Sequence, residues 1–358
     1  MRIFEDALTE PLFDDTAPSH APVQAQPPSR ELVRLGEKLP RGIYLGTSSW
    51  NFPGWRGIVW APMSGTKTLA RDGLSAYSRY PIFKTTGIDR AYYRPLTAAQ
   101  YRAFADQVPE NFRFLVKAPQ QVTDYALRDE RGRAIGRNPD YLNLQLLQEQ
   151  FVWPAVEGLG KKIGALVLEL SPIPREDISD INKKHAQIDR LGAFAHALPT
   201  EALEGKRLLF AVEMRTRSLL TRRYVKAIRD SAVRPVVSLH PSMPSIMRQT
   251  EMVHYLDAPD VDGGPWKLRG DIVIRWSLAA NGTYQSLRRQ WHPFNVLQEP
   301  DLVTREGIVW LLSLAAKSGV KAYAVANNKA EGCAPLTMRA IAESLTGFRV
   351  DSGGKEQL

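Results

Sequence analysis

Eight short runs of apolar, largely β-branched residues recur along the chain. Each ends in a polar residue and is followed by a stretch whose apolar positions have helical spacing. The runs are Ile43–Ser49, Pro81–Asp89, Phe112–Lys117, Ala165–Glu169, Leu208–Arg215, Pro235–His240, Asp271–Arg275 and Ala322–Asn328. Strands separated by helices pair in parallel, because the helix returns the chain to the same end of the sheet. Eight such units are the number that closes a barrel. The expected fold class is therefore α/β, a single (β/α)8 TIM-like barrel over residues 41–346. In that architecture the C-terminal ends of the strands carry the chemistry.

The connections follow the same logic. Helices are predicted over Thr97–Val108, Tyr141–Leu159 (bent or ended by Pro154), His185–Leu198, Ser218–Arg229, Ser245–Leu256, Leu302–Lys317 and Leu336–Leu345, with Ser218 and Thr304 as N-caps. Two connections leaving strand ends are long, Gln120–Asp140 and Ala279–Asp301, and are expected to overhang the barrel mouth. Residues 1–40 read as a flexible tail, since Thr16–Ser29 holds four prolines among Ala, Gln and Ser and offers little apolar area to bury. Residues 347–358 read as a C-terminal tail.

The chain has 358 residues, one cysteine and a formal charge of +9. A single cysteine excludes an internal disulfide and a multi-cysteine zinc site. With no secretory h-region and no apolar run near membrane-spanning length, the expectation is a cytoplasmic protein without a membrane partner. The first forty residues hold four Lys or Arg and seven Asp or Glu, so the remaining body carries +12. Such a balance favours anionic partners, either small molecules or nucleic acid. No G-x-G-x-x-G or P-loop sequence supports a nucleotide site. Oligomeric state is not legible.

Four segments carry a family resemblance: Tyr44-Leu-Gly-Thr-Ser-Ser-Trp-Asn-Phe-Pro-Gly-Trp-Arg56, Phe112-Arg-Phe-Leu-Val-Lys-Ala-Pro119, Phe210-Ala-Val-Glu-Met-Arg215 and Ala326-Asn-Asn-Lys-Ala-Glu-Gly-Cys-Ala334. The chain resembles the YecE-like family, domain of unknown function 72. The resemblance implies a TIM-barrel-like fold and carries no established activity. The chain departs from the family pattern at strand ends. Gly87 and Asp89 stand where the pattern has Glu and Asn, Asp124 replaces His, Glu169 replaces Gln, and Leu219 replaces Trp.

Side chains at i and i+2 of a strand share a face, so Glu213 and Arg215 point the same way above Ala211. Lys117 and Arg275 extend a cationic set with Arg215 that suits phosphate or carboxylate. Glu213, Glu169 and Asp89 are the acid/base candidates, with Asn327 orienting. Trp50, Tyr92 and Asn328 are candidate substrate contacts. His240 with Glu169 and Glu213 forms a candidate divalent-metal set, without a compact ligand motif. Cys333, at a helix start, is either activated or simply a buried thiol. The leading expectation is an enzyme acting on a small phosphorylated or carboxylated molecule, its reaction (hydrolysis, isomerisation or lyase chemistry) left open. Alternatives are a nucleic-acid-binding or processing protein, using Arg288 and Arg289 among the aromatics of 284–294, and a non-catalytic barrel.

Overall fold

The computed structural model describes residues 22–61, 66–129, 132–229, 231–257 and 266–350. Eight strands form the barrel: β1 (Ile43–Thr47), β2 (Phe83–Ile88), β3 (Arg113–Lys117), β4 (Ile163–Leu170), β5 (Phe210–Met214), β6 (Val233–Leu239), β7 (Ile272–Trp276) and β8 (Ala322–Ala326). They close in sequence order, β8 pairing with β1, and every barrel pairing is parallel. The expected fold class is the observed one.

Period-two alternation then sorts the side chains. One face of each strand packs outward against the helices. The other fills the barrel with Leu115, Ala165, Val167, Ala211, Val236, Val273, Tyr323 and Val325, joined from below by Tyr44 and Leu209. Small residues on β4 and β5 leave room for the Tyr44–Tyr323 stack, whose ring centroids lie 4.8 Å apart. Two residues further along the same inward faces come Lys117, Glu169, Glu213, Ser238, Arg275 and Asn327. The apolar plug is thus capped by a polar layer.

All seven predicted helices are present, with shifted details. Thr221 rather than Ser218 caps Arg222–Ile228, and Asp301 rather than Thr304 caps Leu302–Ser318. Ser218 falls inside a separate 3-10 turn, and Asp301 Oδ1, from outside the helix, accepts from Thr304 N at 2.9 Å. The segment around Pro154 bends through a π-type turn at Gln148–Val152 before Trp153–Leu159, because proline offers no N–H to the preceding turn. The connection after β7 is itself helical over Tyr284–Trp291, opened by a Thr283–Ser286 capping box. The connection after β3 folds back as a hairpin of Ala126–Arg128 and Ala134–Arg137.

The expected tails need correction. Residues 1–21 and 351–358 lie outside the described residues. However, Gln24 and Gln26 exchange backbone hydrogen bonds with Ala61 and Val59. Arg30–Lys38 is a helix, capped by Ser29, that buries Leu32 and Leu35 against helix Ala334–Thr346. Composition hid this short amphipathic stripe next to the proline-rich segment. Val350 is likewise buried, its carbonyl accepting from Arg339 at 2.6 Å. Among the described residues no helix is long and apolar enough to cross a membrane.

Leu35→Ala should lower the unfolding free energy by roughly 2–5 kcal/mol, as for other large-to-small changes in a packed core. Denaturant titration checks this; a loss below about 0.5 kcal/mol would mean that this helix is not part of the cooperative unit.

Candidate functional site

The polar layer is a continuous ion-pair lattice. Glu169 and Glu213 are direct register partners on β4 and β5, an arrangement that is repulsive on its own. Arg275 resolves it. Its Nη1 binds Glu169 Oε2 at 2.8 Å and also Glu213 Oε2, and its Nη2 stands 3.5 Å from Asp89 Oδ1. Lys117 Nζ lies 3.1 Å from Glu169 Oε2. Arg215 Nε lies 3.2 Å from Glu213 Oε1 and its Nη2 3.6 Å from Glu169 Oε1. Ser238 Oγ donates to Glu213 Oε1 at 2.6 Å, and Glu213 is fully buried.

Three cations therefore face three carboxylates, and the formal charges cancel. Burial pushes the Glu169 carboxyl up, but Lys117, Arg275 and Arg215 outweigh it and hold the group far below the ordinary carboxylate range. For Arg275 burial favours the neutral form, and Glu213, Glu169 and Asp89 reverse that and raise it. Asp89 behaves differently. Burial raises its pKa despite Arg275 and Lys117. The expectation that Lys117, Arg215 and Arg275 form an open anion site is thus corrected, because each is already paired with a carboxylate.

Among the described residues the strand ends open onto several cavities rather than one, and two of them are lined by carboxylates of the lattice, Asp89 in one and Glu169 in the other. The larger, about 790 Å³, is walled by Ser49–Phe52, the β2 end (Gly87–Arg90), Tyr93, the helix Tyr284–Trp291, Asn327 and Lys329. Glycine at 87 is required here: a Cβ would stand 2.4 Å from the Ser48 carbonyl oxygen. Of the expected residues, Asp89, Trp50 and Asn327 face this cavity. Trp50 is anchored by its Nε1 donating to Leu69 O at 3.1 Å. The smaller cavity, about 340 Å³, is lined by Tyr92, Asp124, Arg128, Glu169, Arg215 and His240 among others. Tyr92 also offers its ring to Lys117 Nζ, 3.7 Å from the centroid. The two long connections overhang different openings. The Tyr284–Trp291 helix walls the large cavity, and Asp124 with Arg128 wall the small one.

Two further expectations fail. Asn328 is no substrate contact: its Oδ1 accepts from Trp55 Nε1 at 3.1 Å and from Ala334 N at 2.9 Å, tying the β8 end to the last helix. His240, Glu169 and Glu213 form no metal-holding set, and no group of three or more such ligands occurs among the described residues. Both carboxylates are saturated by cations, and His240 Nδ1 lies 2.8 Å from Ser242 Oγ. Burial and then Arg215 lower the His240 pKa. Cys333 is the inert thiol of its two readings, pushed up to about 12 by burial.

The residue missed in the sequence is Lys329. It is 2% exposed, and its Nζ donates to Asn327 Oδ1 at 3.1 Å and rests 4.0 Å from the Tyr284 ring centroid. Burial, then Arg288, lower its pKa to about 8, against the opposing pull of Asp89. Its signal was the i+2 spacing from Asn327 at a strand end, one step beyond the regular strand. Arg90 was missed as well. Its Nη1 is buried with no hydrogen-bond partner among the described residues, on the wall of the same cavity.

The closed parallel barrel and its charged mouth define a TIM-like (β/α)8-barrel protein. The family model described as "Protein of unknown function DUF72" matches residues 44–355, and the chain belongs to that family. The crystal structure of a DUF72 family protein from Enterococcus faecalis is similar, with 16% identity over 88% of this chain and 99% of that chain and a TM-score of 0.51. A DUF72 family protein from Thermotoga maritima is 16% identical over 85% and 98% of the two chains, with a TM-score of 0.48. At such identity the likeness speaks to fold alone. No curated protein matches the chain.

Two outcomes follow from the lattice. Arg275→Met strands buried carboxylates and should cost on the order of 3–5 kcal/mol by denaturant titration, partly recovered by adding Glu213→Gln. A cost near ~1 kcal/mol would mean that the mouth is wet enough to solvate them. The depressed Glu169 pKa has a definite sign. Its contribution is complete above the ordinary value of 4.5 and is lost as pH falls below it. Asp89, with a raised pKa, acts in the opposite sense. Glu169→Gln should therefore flatten the loss of stability between about pH 5 and pH 2, measured by thermal unfolding; an unchanged acid limb would refute the assignment.

Proposed function

We propose that the chain is an enzyme that binds a small phosphorylated or carboxylated molecule in the larger cavity and transforms it by acid–base chemistry. The observation that carries this is an imbalance of charge. Arg90, Arg288, Arg289 and Lys329 line the cavity against the single carboxylate Asp89, with His292 beside them. No ion pair occupies Arg90, Arg288, Arg289 or Lys329 among the described residues, in contrast to the neutralised lattice next door. Forked guanidinium groups suit phosphate and carboxylate. The volume suits a metabolite, and Trp50, Phe52, Tyr93 and Tyr284 give an apolar body to the wall.

Roles follow from environment. Arg90, Arg288 and Arg289 hold the anion. Asp89, its carboxyl raised by burial, is the proton donor, and Lys329, near 8, is its basic counterpart. Glu169 and Glu213, the acid/base candidates of the sequence, have their oxygens already bonded within the lattice. They position Arg275 behind Asp89 instead.

Calorimetry against a panel of phosphorylated and carboxylated sugars and short acids tests this. Binding is expected, and replacing both Arg288 and Arg289 with Met should weaken it at least about tenfold, ~1.4 kcal/mol. Affinity should fall as pH rises through about 8, where Lys329 loses its proton. A panel with no binder, together with tight single-stranded oligonucleotide binding that collapses with salt, would instead favour the exposed Tyr284–Arg289 face as a nucleic-acid surface.

A further inference from the structure

We infer that Lys329 is an imine-forming lysine, whose Nζ condenses with the carbonyl carbon of an aldehyde or ketone held in the larger cavity by its anionic end. The inference rests on the cavity being an anion site and adds the substrate's second functional group.

Lys329 differs from Lys117, Lys162 and Lys206, which are also at least partly buried. Lys117 is ion-paired to Glu169 at 3.1 Å. Lys162 donates to the Ala105 and Val108 carbonyls, each at 2.8 Å, and Lys206 donates to the carbonyls of Lys161 and Ile163. None of these opens onto the strand-end cavities. Lys329 has one hydrogen-bond partner, the neutral Asn327 Oδ1 at 3.1 Å, and no carboxylate within ion-pair distance among the described residues. Its ammonium is otherwise faced by the rings of Tyr284 at 4.0 Å and Phe294 at 5.5 Å. The charged groups that act on it are Arg288 from the Tyr284–Trp291 helix and Asp89 from the end of β2. A lysine desolvated by apolar walls and placed near another cation is the setting in which an amine is a competent nucleophile near neutral pH. Its lowered pKa, near 8, agrees with that geometry.

The step balances without any co-reactant. The neutral Lys329 amine forms a C–N bond to the carbonyl carbon as the C=O π bond breaks, and the oxygen takes up the proton that the nitrogen sheds, giving a carbinolamine. Its C–O bond then breaks as the hydroxyl receives a proton from Asp89 and leaves as water. The product is a protonated imine. That cation draws electrons from the adjacent carbon, so the chemistry it favours is proton removal or carbon–carbon cleavage next to the carbonyl. Asp89, left ionised in the same cavity, is placed to take the proton back.

Reductive trapping tests the inference on the unmodified protein. The full chain is incubated with glyoxylate (anionic) or propanal (neutral) and sodium cyanoborohydride, and adducts are located by peptide mass spectrometry. Glyoxylate should label Lys329 at least about tenfold faster than any other lysine, Lys206 serving as the internal comparison. The rate should rise with pH through about 8. Replacing Arg288 and Arg289 with Met should slow glyoxylate labelling of Lys329 towards the propanal rate. Equal, selective labelling of Lys329 by both reagents would uphold the imine and overturn the anion site. Labelling scattered over surface lysines, with Lys329 unmodified while small anions still bind by calorimetry, would overturn the imine and leave the anion site standing.

Discussion

Arg275 is the interaction on which the mouth of this barrel depends. The parallel register sets Glu169 opposite Glu213 on neighbouring strands, and Glu213 is fully buried there. Two carboxylates so placed in a low-dielectric interior repel strongly, and removing their hydration costs several kcal/mol each. A guanidinium reaching across from β7 binds both and still faces Asp89 with its second nitrogen. Lys117 and Arg215 complete the neutralisation from either side. The apolar barrel interior thus ends in a rigid electrostatic lid rather than in open water.

That lid divides the strand-end face in two. On one side the charges are paired, and the small cavity is lined by Glu169 and Arg215, which already bind each other. On the other side, over β1, β2 and β8, the cations have no ion pair among the described residues, and Asp89 and Lys329 meet one cavity. The functional proposal follows from this contrast: Arg90, Arg288, Arg289 and Lys329 line the larger cavity without a carboxylate bound to them among the described residues, and Asp89 faces the same space.

The departures from the family pattern fall on this same boundary. Asp89 and Glu169 stand where the pattern carries amides, and both are partners of Arg275. Gly87 stands where the pattern carries Glu, and here the Ser48 carbonyl approaches too closely for any Cβ.

The alternation of eight apolar runs with helical stretches determined the fold, because period-two and period-3.6 burial are local properties of the chain. The same periodicity placed Lys117, Glu169, Glu213 and Arg275 on one inward layer. Spacing within a strand is covalent, so Ala211, Glu213 and Arg215 had to share a face. It did not reveal that the cations and carboxylates of that layer would cancel. Pairing depends on how far a guanidinium from β7 reaches towards β4 and β5, which is set by barrel closure. Nor did it reveal the helix Arg30–Lys38, whose Leu32 and Leu35 find their partners only on the last helix, some three hundred residues on. Lys329 lay just past the end of a strand, where period-two counting stops. Its burial comes from Tyr284 and Phe294, contributed by a different connection. Desolvation and charge pairing are sums over neighbours distant in sequence, so only the tertiary structure decided which strand-end groups are neutralised and which remain free to react.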